Sequence, residues 1–218
     1  MNPPRSRATL TCLAAGLLTA ALPAVSAAAY PDKPIRLVVP FPPGQGADIL
    51  ARLIGQHLAA ALGQPIVVEN KVGAGGIIGT AFAAKAAPDG YTLYMGSSGP
   101  LAIGPHVYKA VGFDTLKDFA PISNIASVTQ VLVTAPASQL ASAKDVVERA
   151  RAQPGMVPFG SAGSGTTSHL TMELFTQMSG ISLSHVPYKG SSTSMIDVMA
   201  GRVPLMFDSL PGVLTNVK

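Results

Sequence analysis

The sequence predicts an α/β fold built on parallel sheets with helices on both faces. Three observations carry that expectation. Short β-branched runs alternate with amphipathic helical runs along most of the chain. Gly- and Pro-rich turns separate each run from the next. The chain from Tyr30 onward, 189 residues, has room for one large or two small α/β domains. Alternation of this kind implies strand-helix-strand crossovers, with ligands lying beyond the carboxyl ends of the strands.

The elements follow in order. IRLVV (Ile35–Val39) is a strand, and the turn-rich PFPPGQG follows it. ADILARLIGQHLAAALG, residues 47–63, sets Leu50, Leu53, Ile54, Leu58 and Leu62 at helical spacing, so one face is apolar. Gly63 and Pro65 stop that helix. IVVE, residues 66–69, is a strand. NKVGAGG is a loop, and IIGTAFAAKAA is a small-residue helix ended by Pro88-Asp89-Gly90. YTLYM, residues 91–95, is a third strand. ISNIA, residues 122–126, and QVLVT (Gln130–Thr134) are two more.

Ser142 and Asp145 have the spacing of a capping box, which opens a helix through Arg151. The short strand VPF precedes the loop GSAGSGTTSHL, and a helix follows with Leu170, Leu174, Phe175 and Met178 as its expected buried face. SHVPY is a strand, SMIDVMAG a short helix and PLMFD a last strand. SLPGVLTNVK then reads as a helix that begins at Ser209 and is cut at Lys218 without a stop signal, the pattern of a fragment. No internal repeat or low-complexity linker interrupts the series.

The amino-terminal stretch does not belong to that series. Arg5 and Arg7, an apolar run over residues 8–25, and Ser26-Ala27-Ala28-Ala29 have the order of a secretory signal peptide over residues 1–29, with cleavage after Ala29 or Ala27. The run is Ala/Thr-rich and short of the roughly 20 strongly apolar residues a membrane span prefers. The single cysteine, Cys12, lies inside it, so cleavage removes every thiol and with it disulfides, thiolate metal sites and cysteine nucleophiles. An exported chain without cysteine or a second apolar span points to the bacterial periplasm. Without Arg5 and Arg7, 13 basic residues stand against 11 acidic ones. There is no basic cluster and no tryptophan, which argues against nucleic acid as a partner.

Two loops share one design. PFPPGQGAD and GSAGSGTTSHL each leave a strand and enter a helix. The free N–H groups of a first helical turn, with the helix dipole, attract an anion without any cationic side chain. Two such ends across a cleft would hold a carboxylate. Ordinary strand-to-helix turn chemistry is the plainer explanation for either loop alone.

Nucleophilic catalysis is the competing expectation, with Ser161 or Ser164 as nucleophile and His169 as base. GSAGSG departs from the G-x-S-x-G elbow, and His169 falls in a first helical turn that disfavours its protonated form. A neutral histidine bonding the loop or ligand suits the position better. No G-K-[ST] follows the glycines, and GAGGIIG spaces its glycines differently from the dinucleotide fingerprint. Its expected role is tight turning and close helix packing. His57, His106, His169 and His185 show no ligand spacing, so no metal and no cofactor are implied.

The run from YPDKPIRLVVPFPPGQGADIL to YTLYMGSSG, followed in order by FGSAGSGTTSHL, HVPYKGSS and AGRVPLMFDSLP, resembles the substrate-binding proteins of tripartite tricarboxylate transporters, the Bug family. The resemblance covers everything after the leader. It implies a periplasmic-binding-protein-like fold of two α/β domains, 30–125 and 126–218, with a ligand cleft between them. It implies a non-enzymatic protein that captures a small carboxylate for the membrane permease subunits of such a transporter. The ligand would be a di- or tricarboxylate, an acidic amino acid or an aromatic acid.

By position, the resemblance assigns ligand contact to Phe41, Pro43, Gly44, Gln45, Gly46, Ala47 and Asp48 in the first loop. In the second loop it assigns Gly160, Ser161, Ala162, Gly163, Gly165, Thr166, Thr167 and His169. Ser97, its neighbour Ser98, and Asp208 are lesser candidates. The family usually has a second glycine at the position of Gln45, and Thr or Ser at that of Ala47. Members also continue for roughly a hundred residues that return to the first domain, so a truncated and less stable form is expected, with uncovered sheet edges and apolar faces. A secreted serine hydrolase using Ser161 and His169, or a non-functional truncated remnant, is the alternative.

Overall fold

The computed structural model describes residues 29–214 and 216. The expected signal peptide lies outside the described residues, except for Ala29. Contacts gather Pro31 to Lys218 into one unit, to which the following refers.

The first sheet holds β1 (Ile35–Val39), β2 (Ile66–Asn70) and β3 (Thr92–Tyr94), all parallel, in the order β2-β1-β3. Helix α1 (Gly46–Leu62) crosses from β1 to β2, and α2 (Ile77–Ala84) from β2 to β3. The central strand explains its β-branched run, because Ile35, Leu37, Val38 and Val39 are all buried. Leu37, Val39, Ala51 and Met95 form the core under α1. Gly63 ends α1 in the left-handed region (φ 67°) and returns its N–H to the Ala59 carbonyl.

A turn of π-helix (Gly99–Ile103) and the short α3 (Gly104–Val107) follow β3, where the sequence suggested only a loose stretch. Residues 122–126, expected as a strand, are irregular and exposed, with Ile122 82% exposed. A strand needs a partner, and none pairs with this segment among the described residues.

The second sheet contains β4 (Gln130–Thr134), β5 (Pro158–Ser161), β6 (Ser184–Pro187) and β7 (Leu205–Ser209), in the order β4-β7-β5-β6. Strand β5 is parallel to β6 and β7, but β4 runs antiparallel to β7. The all-parallel expectation fails there because β4 enters as an edge strand, where the opposite direction is tolerated. Helices α4 (Ala143–Ala152), α5 (Thr167–Ser179) and α6 (Ser191–Met199) cover the sheet, and α7 (Leu210–Val213) follows β7. The Ser142–Asp145 capping box forms at α4 as its spacing requires. Alternation along β7 feeds two cores. Leu205 packs with Phe159, Val146 and Met172, while Met206 packs with Met195, Val198 and Val213.

Helix α5 turns the other way from the sequence expectation. Its buried positions are Ser168, Met172 and Thr176, while Leu170, Leu174 and Met178 are 37%, 55% and 79% exposed. The Ser168 hydroxyl accepts from the Ala162 amide at 2.9 Å, which pins the rotation of the helix at its first turn. Two residues further on, a side chain points about 200° away. Leu170, Leu174 and Met178 therefore face out, while Phe175, the fourth member of the expected face, packs into the core and meets Phe207 edge-on.

Candidate functional site

The first loop is held from within. Gly44 takes φ 79°, a conformation that disfavours any side chain. Its N–H donates to Asp48 Oδ2 at 2.9 Å, Arg52 Nε donates to the same oxygen at 2.9 Å, and Asn70 Nδ2 donates to Oδ1 at 2.9 Å. Burial pushes the Asp48 carboxyl up, but the Arg52, Asn70 and Gly44 donors outweigh it and hold it below its ordinary value. Asn70 also donates to the Phe41 carbonyl at 2.8 Å, over the buried Phe41 ring. Asp48 is thus the internal post of the loop. Pro43 is exposed, Ala47 half-buried, and Gly46 has no room for a Cβ against the Ser209 hydroxyl.

Gln45 stands at the N-cap of α1 with extended backbone, yet its side chain caps nothing there. Instead Oε1 accepts from the Ser191 N–H at 3.1 Å, a buried bond to the amino end of α6. This contact joins the two sheets across their seam.

The second loop spends most of its amides on its own side chains. Ala162 N donates to Ser168 Oγ at 2.9 Å, Gly163 N to Ser161 Oγ at 3.1 Å, and Gly165 N to His169 Nδ1 at 3.2 Å. The Thr166 hydroxyl donates to the Gly163 carbonyl at 2.6 Å. Gly163 and Gly165 take φ 124° and 73°, which the turn requires. Among the described residues, the amides of Thr167 and Ser168 in the first turn of α5 keep no hydrogen-bond partner. Thr167 Oγ1 lies 3.2 Å from Ser98 Oγ, which comes from the first sheet's side of the seam. Ser97, half-buried beside it, makes no side-chain hydrogen bond among the described residues. The Tyr108 hydroxyl crosses in the same direction and donates to the Ser164 carbonyl at 2.8 Å.

The glycines of GAGG have a use beyond tight turning. A Cβ on Gly75 would come within 2.8 Å of the Ser164 carbonyl, and one on Gly163 within 3.6 Å of the Gly75 Cα. Backbone meets backbone across the seam, and at Gly75 only glycine permits it.

Beneath the second loop lies a stack of rings. His185 stacks on His169 with ring centres 3.9 Å apart, and Phe159, near-parallel to both, lies 4.9 Å from His185 and 6.3 Å from His169. Ser161 Oγ is 2.6 Å from His185 Nε2. That oxygen also accepts from the Gly163 amide, and the tautomer of His185 sets which of the pair donates. His169, accepting at Nδ1, carries its proton on Nε2, 3.5 Å from Glu173 Oε1. Burial lowers both imidazoles. The lowering of His169 is opposed by Glu173, and that of His185, reinforced by its neighbour His169, reaches about 4. Both rings are neutral near pH 7, as expected for His169, with burial as the leading cause.

The pairing needed for a hydrolase is not the one formed. Ser161 is bonded to His185 rather than His169 and is fully buried, so no carbonyl carbon can reach its oxygen. His185 was not singled out from the sequence. The signal available was its parallel pairing, which sets it directly opposite Phe159.

Asp208 closes the far end of the seam. It is buried, accepts from the Ser209 N–H at 2.8 Å, and lies against Gly212. Burial raises its carboxyl above the ordinary value despite the Ser209 and Ser191 groups beside it. Two surface cavities, of about 420 and 410 Å³, are lined around Arg149 and around Arg52, and neither includes a residue of the second loop.

The model of the "Tripartite tricarboxylate transporter family receptor" matches residues 50–218. The chain is 41% identical over 195 residues to protein BugT of Bordetella pertussis, covering 89% of this chain and 60% of that protein. A solved structure of a periplasmic transporter superposes with a TM-score of 0.82 at 41% identity, covering 86% of this chain and 63% of that one. The structure of R. palustris Rpa4515 with adipate also superposes at 0.82, at 38% identity over 84% of this chain and 62% of that one. The chain thus spans about 60% of the length of the curated relatives it matches.

Proposed function

We propose, from the premise that the chain belongs to the tripartite tricarboxylate transporter receptor family, that it is a solute-binding protein which captures a small carboxylate. The observation that carries this reading is the corner where Ser98 and Thr167 hydroxyls meet, 3.2 Å apart, at the amino end of α5. There the amides of Thr167 and Ser168 are available to an anion, and the helix dipole favours negative charge. Neither loop supplies a lysine or arginine, so recognition rests on backbone and hydroxyl donors. A related protein of known structure holds adipate.

The two sheets are the lobes of a hinged trap in this reading, with residues 30–125 and 126–218 closing on the ligand. The ligand passes to a membrane permease, and the site of action is the periplasm. The leader-like residues 1–29 support export.

The test is a thermal-shift screen of the chain against mono-, di- and tricarboxylates, acidic amino acids and aromatic acids. A rise in melting temperature with at least one small carboxylate is expected. No rise with any acid overturns the reading.

A further inference from the structure

Gln45 does something in this fold that no helix-capping role explains. It occupies the N-cap position of α1 and leaves its own helix uncapped by its side chain. The side chain is buried, 8% exposed, and spans the seam to residues 146 positions away. Its Oε1 accepts the Ser191 N–H, the first amide of α6. A Cβ on Gly190 would collide with Pro42 and lie 3.1 Å from Oε1, so the receiving backbone is shaped to this side chain. Beside the bond, the hydroxyls of Ser191 and Ser194 are fully buried and make no full hydrogen bond. The Ser191 hydroxyl only inclines toward Asp208. A carbonyl oxygen at the amino end of a helix, among unspent hydroxyls, holds the position that a carboxylate oxygen would take.

We propose that Gln45 is a specificity-determining residue: its side-chain carbonyl fills the amino end of α6 and restricts the ligand to acids with a single carboxylate. The inference rests on the functional reading above. The first carboxylate belongs to the corner at Thr167 and Ser168. The chain from Tyr188 to Ser191 links that corner to α6, because Gly163 packs on the Tyr188 carbonyl and Gly190 on Pro42. A ligand lying along it brings its far end to the donor Gln45 has taken. A neutral far end accepts the amide as neighbour. A second carboxylate must displace it or go without a partner, and an unpaired buried charge is strongly disfavoured.

The experiment compares the full chain with Gln45→Gly and Gln45→Ala, using propionate, butyrate, succinate, glutarate and adipate as probes in calorimetric titrations. The expected result is that the variants improve the dicarboxylate-to-monocarboxylate affinity ratio by about tenfold or more, the effect of one recovered hydrogen bond to a charged group. Equal ratios in all three proteins overturn the inference while leaving carboxylate binding intact. No binding of any acid to any of the three overturns the functional reading and this inference together. A measurement without ligand checks the geometry separately. Exchange of the Ser191 amide with deuterium should quicken about tenfold in both variants, and an unchanged rate overturns the clasp.

Discussion

Ser161 and His185, 24 residues apart in sequence, are joined by a 2.6 Å hydrogen bond beneath the second loop. The bond runs between adjacent parallel strands and carries the loop above it, because Ser161 Oγ also receives the Gly163 amide at 3.1 Å. Ser161→Ala removes both partners and leaves a buried amide unpaired. The expected cost is about 1–3 kcal/mol of stability, measured by urea unfolding, together with weaker carboxylate binding. A variant as stable as the parent would show that the bond contributes nothing.

The stacked imidazoles set a pH dependence. Burial depresses His185 to about 4 and moves His169 in the same direction, against an ordinary value of 6.5. A base depressed in the folded state is more easily protonated when unfolded. Its contribution is therefore complete above pH 6.5 and is lost as pH falls from 6.5 toward 4. Melting temperature should decline over that window. His185→Gln should flatten the decline, and an equally steep slope in the variant would refute the assignment.

Helix α5 offers a paired test of its rotation. Met172→Ala, at a position with no exposure, is expected to cost about 2–5 kcal/mol. Leu174→Glu, at a position 55% exposed, is expected to change stability by less than about 0.5 kcal/mol. Chemical unfolding of the two variants in parallel decides the matter. The reverse order would mean that the apolar stripe is the buried one.

At the first loop, Asp48→Ala removes the acceptor shared by Gly44, Arg52 and Asn70. These partly exposed donors then lose a charged acceptor, and stability should fall by about 1.5–3 kcal/mol. Because the folded carboxyl is held below its ordinary 3.8, its contribution is present above that value and lost as pH falls through the folded one. The Ala variant should thus lose the corresponding part of the acid limb in a melting profile; an unchanged limb would count against the role.

Much of this fold was legible because strand and helix periods differ so plainly. Ile35–Val39 and Gln130–Thr134 stand at the boundaries that their β-branched runs mark. The rotation of α5 was not legible. Apolar content points to Leu170, Leu174 and Met178, yet a hydroxyl at Ser168, fixed by a loop amide, decides which side faces in. The antiparallel entry of β4 was hidden for a related reason, since strand direction is set by the connection rather than by composition. At the site, the two loops were visible as glycine-rich passages between strand and helix. What escaped was everything joined across the seam: Gln45 with Ser191, Tyr108 with Ser164, Gly75 with Gly163. Such contacts bring together residues with no common pattern in the sequence, and His185 belongs with them.

The Tyr108 phenol has a spectroscopic consequence. The chain contains no tryptophan and five tyrosines, so its intrinsic emission is entirely phenolic. A phenol bonded to a peptide carbonyl emits more weakly than one facing water, and Tyr108 holds such a bond to Ser164 from the opposite side of the seam. Separation of Tyr108 from Ser164 would therefore brighten that emission, readable without a dye or a label.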